Sequence, residues 1–273
     1  MADDEQLRRL ARSSPWRWRT VRFTYEDGEL PTVRAWIRRP QAMRVETQAG
    51  ALLSAEPGAA RPTNVSFFAV GQGGGADDAP VLPVPVWWTD PGAPEPPLGP
   101  DGLVAEPVAL PLQVQLDDPM WQSYRWVALL NPRELADAED GSAAVAIDEL
   151  EEVRWHERPA LRAIVRPLAG YAPRCGCCPL LPSRIAALAE GFPDPDGAFA
   201  DAHEVVLDLA TSICVRAREL GGPHDRRGFD VVLEAVDEPM DDALFAPTRG
   251  MGRGRQRWLR GWAPQPGLAP PWA

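Results

Sequence analysis

The chain has 273 residues, with 39 acidic against 28 basic side chains and a net charge of -11 at pH 7. That balance excludes a general nucleic-acid binder, which presents a basic face. Every basic residue is arginine, so a lysine nucleophile, a Schiff base and a phosphate-loop lysine are excluded as well. A chain of this size buries roughly 70–75% of its unfolded surface and needs no disulfides to hold a core. Its start, MADDEQLRRL, is acidic and lacks the apolar stretch of a secretory signal. No run of 18 apolar residues occurs, so no membrane-spanning helix is expected. As the sequence stands, the expected location is the cytoplasm; it becomes extracytoplasmic if the true start lies further upstream.

Residues 3–13 predict a short helix. Asp3 can cap it, Gln6 takes the capping-box position, and Leu7, Leu10 and Ala11 form one apolar stripe. Three alternating segments follow. Val21, Phe23 and Tyr25 share one face, as do Val33, Ala35 and Ile37, and then Met43 and Val45, with arginines prominent opposite them. This predicts an antiparallel meander with one apolar and one arginine-rich face. Residues 71–111 are rich in Gly and Pro and read as a long flexible insertion with at most a short strand near Val86–Trp88.

The stretch DDPMWQSYRWVALL predicts a helix capped by Asp118, with Pro119 in its first turn and Met120, Tyr124, Val127 and Ala128 at helical spacing. Asn131 and Glu134 have capping-box spacing for a second short turn. Two strands are expected in 144–168 and a short helix at 184–190, closed by Gly191. Three more alternating strands follow, marked by Val205, Leu207 and Leu209, then Ile213, Val215 and Ala217, then Phe229, Val231, Leu233 and Ala235. Residues 247–273 lack periodicity and read as a disordered tail rich in Arg, Trp and Pro. The expectation is one α+β domain over 1–246, a curved antiparallel half-barrel sheet with helices on its concave apolar face.

The final block sharpens this. VVLDLATSICVRARE followed by FDVVLEAVDEPMDDALF resembles the closing hairpins of the LolA/RseB-like lipoprotein-sorting superfamily, with Asp208 and Thr211 at a turn and a short Asp242–Phe245 ending. The hairpin TVRAWIRRPQAMRVET fits the same family. The resemblance implies a half-barrel whose apolar concavity holds acyl chains or a peptide partner and does no chemistry. Such relatives are normally exported, a point on which this start departs. On that reading Phe23, Tyr25, Val33, Ile37, Met43 and Val45, with Tyr124 and Val127, line the cavity.

YAPRCGCCPLLPSR raises a different chemistry. Cys175, Cys177 and Cys178 lie within four positions. A structural zinc needs four ligands, usually in two separated pairs. Neighbouring side chains in extended backbone diverge, and Cys214 has the strand phase of Arg216, on the polar face. His156 and His203 are further candidates. The plainer reading is a packed loop with free thiols; the sharper one is zinc on the three cysteines with one distant ligand. Asp237, Glu238, Asp241 and Asp242 read as a solvated turn, and Asp208 with Thr211 as a tight hairpin. No GxSxG, HExxH, GxGxxG or Walker pattern occurs, and GQGGG reads as linker. Of the 11 tryptophans, Trp16, Trp18, Trp36, Trp87 and Trp88 gather near the first sheet and the insertion. The expected function is a non-enzymatic binding protein for an acyl chain or another hydrophobic ligand. The alternatives are a regulatory scaffold with a filled concavity and a protein partner, and a zinc- or thiol-dependent protein.

Overall fold

The computed structural model describes residues 3–58, 86–89, 93, 95–107, 114–115, 118–189 and 199–247. Helix α1 spans Asp4–Arg17, and the Asp3 carboxylate accepts from the Gln6 N–H at 2.8 Å, as its spacing predicts. The helix runs one turn beyond the predicted end and buries Leu7, Leu10 and Ala11. Arg12 grips Asp137 with two hydrogen bonds of 2.5 and 2.7 Å, which fixes the helix against the segment just after the short turn Arg133–Leu135.

Strands β1 (Thr20–Glu26), β2 (Val33–Arg38), β3 (Ala42–Thr47) and β4 (Leu52–Pro57) form the expected meander with one strand more than its periodicity announces. β4 is half-buried at five of its six positions and lacks a clean alternation, which is why its sequence is silent. Later come β7 (Val145–Trp155), β8 (Arg158–Pro167), β9 (Ala202–Asp208), β10 (Cys214–Leu220) and β11 (Gly228–Val236). The nine strands make one antiparallel sheet in the order β4-β3-β2-β1-β11-β10-β9-β8-β7. The last strand returns to pair with the first, so the two ends of the chain are halves of one open sheet. A separate two-residue parallel pair joins β5 (Val86–Trp87) to β6 (Val114–Gln115).

The registers Phe23 with Ala35, Ala35 with Val45, and Phe23 with Leu233 put the apolar residues on one face. Against that face lie α1, the helix α2 (Tyr124–Leu130), and Leu135 and Ala136 just after it, in one continuous core. α2 begins later than expected. Ser123 takes the cap position, and Asp118 does not cap the helix at all. Its carboxylate instead receives two bonds of 2.8 Å from Arg39, both side chains being fully buried. A buried guanidinium without a counter-charge costs far more than one helical turn contributes. The capping box at Asn131 and Glu134 is likewise absent: Arg133–Leu135 forms a short 3-10 turn with no side-chain cap, and Glu134 points into the core.

The described part of the Gly/Pro-rich insertion docks on α1 and is not loose linker. Trp88 is buried and donates to the Pro15 carbonyl at 2.7 Å, and the Val104 N–H donates to Ser13 at 2.8 Å. Helix α3 is Arg184–Ala189; its expected Gly191 stop, residues 71–85 and the tail beyond 247 lie outside the described residues. A last 3-10 turn, Asp242–Phe245, folds onto the arginine-rich face of the meander. Phe245 is fully buried under Arg38, whose guanidinium sits 4.8 Å from the ring centroid. Among the described residues no helix is long and apolar enough to cross a membrane.

Candidate functional site

The inner face gathers most of the residues expected to line a cavity. Phe23, Tyr25, Val33, Ile37, Met43, Val45 and Val127 are all at most 9% exposed. Trp126 of α2 lies against them, its ring centroid 5.1 Å from those of both Phe23 and Tyr25. Tyr25 also stacks on Phe229 at 5.8 Å. Its hydroxyl reaches Asp27 at 3.3 Å, and burial together with that carboxylate pushes the phenol pKa up. Tyr124 departs from the group. It opens α2, is 41% exposed, and its backbone N–H bonds the Cys178 sulfur.

The cysteine loop is a turn and not an extended strand, because the Cys178 N–H returns to the Cys175 carbonyl at 3.3 Å. The divergence expected of neighbouring side chains therefore does not arise. The three sulfurs lie within 4.8 Å of one another, with Cys175 Sγ 2.7 Å from Cys177 Sγ and Cys177 Sγ 3.8 Å from Cys178 Sγ. Desolvation and the neighbouring thiols push the Cys177 and Cys178 pKa values up.

One buried carboxylate holds this loop. Glu134 accepts from the Tyr171 hydroxyl at 2.5 Å, the Arg174 N–H at 3.2 Å and the Leu180 N–H at 3.0 Å. The Tyr171 oxygen in turn accepts from the Leu181 N–H at 3.1 Å. Both ends of the cysteine segment thus hang from one side chain. Burial drives the Glu134 pKa up, and the three donors oppose it. The sequence hides this role, since a Glu three residues after Asn131 looks like an ordinary capping box.

Cys214 was expected on the polar face and is found in the core, fully buried, its thiol on the Arg216 carbonyl at 3.1 Å. A bulge explains the change of phase: Cys214 pairs with Leu207 and Arg216 with Val206, leaving Val215 extra. Cys214 does not belong to the three-thiol group. His203 is buried with Nε2 3.1 Å from the Pro182 carbonyl, and desolvation holds its pKa down to about 4. His156 sits in the β7–β8 turn, where it and Glu157 both take positive φ (43° and 65°).

The outer face carries ion pairs in place of a basic patch. Arg162 bridges Glu151 and Glu204, and Arg216 bridges Glu204 and Asp230, all within 2.6–2.8 Å. Beside this ladder an open groove of about 640 Å³ is lined by Trp155, His156, Asp27, Glu29 and Arg226, among others. The acidic turn is structural: Asp237 accepts from the Arg19 and Thr20 amides at 2.6 and 3.2 Å. So is Asp208, which accepts from Ala210, Thr211 and the Arg158 fork.

No protein-family model matches the chain, and no curated protein matches it. Two solved structures are similar to it at a distance. A crystal structure of MucB is 19% identical over 89% of this chain, with a TM-score of 0.37. The MucA/MucB complex of Pseudomonas aeruginosa is 17% identical over 90% of this chain, with a TM-score of 0.38. In both cases the chain spans 62% of the length of the matched chain, and the likeness is one of fold, distant at most.

Proposed function

We propose that this chain is a non-enzymatic binding protein that meets a protein partner at its rim and holds no acyl chain under its sheet. The observation that carries the reading is Trp126 packed on Phe23 and Tyr25, with Phe23, Tyr25, Val33, Ile37, Met43 and Val45 all buried in the same core as that helix residue. Recognition then falls to the edge of the sheet. Among the described residues β7 pairs on one side only, over 11 residues. An unpaired edge offers main-chain donors and acceptors to an extended segment. Asp148, Glu149, Glu151 and Glu152 line it and outnumber Arg162 and Arg166, which pair with the first three, so the partner segment is basic and a second copy of this strand is repelled.

Native mass spectrometry of protein purified from cells under reducing conditions tests the closed inner face. The expected spectrum has no adduct at acyl-chain masses; a stoichiometric one refutes the reading. An extended arginine-rich peptide of about β7's length tests the rim by fluorescence anisotropy. Binding is expected for the native protein and lost on replacing Glu149, Glu151 and Glu152 with Lys. Binding that ignores the charge reversal, or no binding at all, removes the rim assignment.

A further inference from the structure

We propose that Cys175, Cys177 and Cys178 form a three-thiolate site for a thiophilic d10 cation, Zn2+ or Cu+. Three observations converge on it. First, the ligand atoms are already gathered, all within 4.8 Å, although their residues are nearly consecutive. Thiolates around one zinc, at Zn–S distances of ~2.3 Å, stand ~3.8 Å apart in tetrahedral geometry. Cys177 and Cys178 hold that spacing at 3.8 Å, while Cys175 and Cys177, at 2.7 Å, must open by about 1 Å to reach it.

Second, the donor set is pure sulfur. No carboxylate or imidazole among the described residues joins the group. Thiolate-only sets select soft cations over Mg2+ or Ca2+. Third, the loop is built to hold its shape. The Glu134 carboxylate ties Arg174 on one side of the cysteines and Leu180 on the other, and Tyr171 completes the clamp. An outer shell that fixes ligand-bearing backbone is what distinguishes a site from a chance cluster.

Cys214 lies in the core on the Arg216 carbonyl and supplies no fourth ligand. Cys177 is exposed, so the fourth position of a zinc centre faces outward, open to water or to a donor from a partner. Copper(I) needs no fourth ligand, since three thiolates complete a trigonal site. The two cations therefore differ in what the remaining face of the site can do.

The test is anaerobic titration of the reduced full-length protein with Zn2+ alone and with Cu+ alone, each against a competing chromophoric chelator. Co2+ substitution reports sulfur ligation by its thiolate-to-metal charge-transfer band. One equivalent is expected. Cys177→Ser and Cys178→Ser each abolish it, and Cys214→Ser leaves it intact. Tyr171→Phe removes one arm of the clamp and weakens affinity by about tenfold. A fourth, non-sulfur ligand in the X-ray absorption of the zinc form, against three-sulfur coordination in the copper form, separates the two cations. Failure to bind either metal stoichiometrically overturns the site. So does binding unchanged in Cys177→Ser, or an intact mass showing a Cys175–Cys177 disulfide that persists under reductant. None of these results bears on the inner face or on β7, so the rim reading stands or falls separately.

Discussion

His203 makes the fold acid-sensitive by an amount that follows from its surroundings. It lies on β9 at 1% exposure, bonded through Nε2 to the Pro182 carbonyl, with Nδ1 unpartnered and Glu219 opposite it on β10. Burial lowers its pKa from 6.5 to about 4. Between those values the unfolded chain binds a proton that the folded chain refuses, so stability falls as pH falls. At 1.36 kcal/mol per unit the full penalty is about 3 kcal/mol below pH 4, and about 2 kcal/mol is already lost at pH 5. His203→Gln keeps an N–H towards Pro182 and removes the titration. Denaturant midpoints of both proteins at about pH 7.5 and pH 5 isolate the effect, because Glu219 and every other carboxylate titrate in each. The wild type should lose about 2 kcal/mol more than the variant across that window. Equal losses would show that His203 is accessible to protons in the folded state and that the β9–α3 region is not closed around it.

Trp126→Ala should cost about 3–5 kcal/mol, read from the shift in denaturant midpoint, and should create binding of an apolar dye that the native protein lacks. Dye binding by the native protein to the same extent would mean that the inner face is open without the substitution. For the buried pair, Asp118→Ala should destabilise by about 3–5 kcal/mol, because it strands Arg39 under Trp18, whose ring lies 3.3 Å from the guanidinium. The double change Arg39→Met with Asp118→Leu should recover most of that loss; a double variant as unstable as the single would show that the pair is irreplaceable.

What the sequence discloses is set by periodicity. Val21, Phe23 and Tyr25 alternate cleanly, as do Phe229, Val231 and Leu233, and each lands on the inner face; a bulge then sets Ala235 opposite Arg22 and brings Val236 against the core. Leu52–Pro57 does not alternate, because an edge strand half-buried along its length has no two-sided environment to encode. Cys214 was misplaced because the bulge at Val215 puts it out of phase with Arg216 and Ala217, which fall on the faces that alternation predicts. Asp118 and Glu134 carry sequence signatures of helix caps, yet both serve partners 79 and 37 positions away. A local pattern cannot announce a bond of that span. The thiol cluster lies between these cases: composition discloses the residues, and only the turn closed by Cys178 and Cys175 brings their sulfurs together.

The absence of lysine takes on a physical sense on the outer face. Guanidinium forks can bridge two carboxylates in a plane, which an ammonium does poorly. Arg162 and Arg216 do this in series through Glu204, and Arg34 and Arg22 converge on Glu234. Each exposed pair contributes little on its own. In series they pair opposite charges across the strands, so these arginines do not stand as a free basic patch. The Asp242–Phe245 turn covers the same face further along the meander, bonded through the Leu244 carbonyl to Arg44 at 2.9 Å. With the inner face packed by helices and much of the outer face paired or covered, the two proposed contacts lie at the boundaries of the sheet. The β7 edge offers backbone bonds and carboxylates, and the cysteine loop offers sulfur. These are different chemistries, and they predict partners of different kinds for the two places.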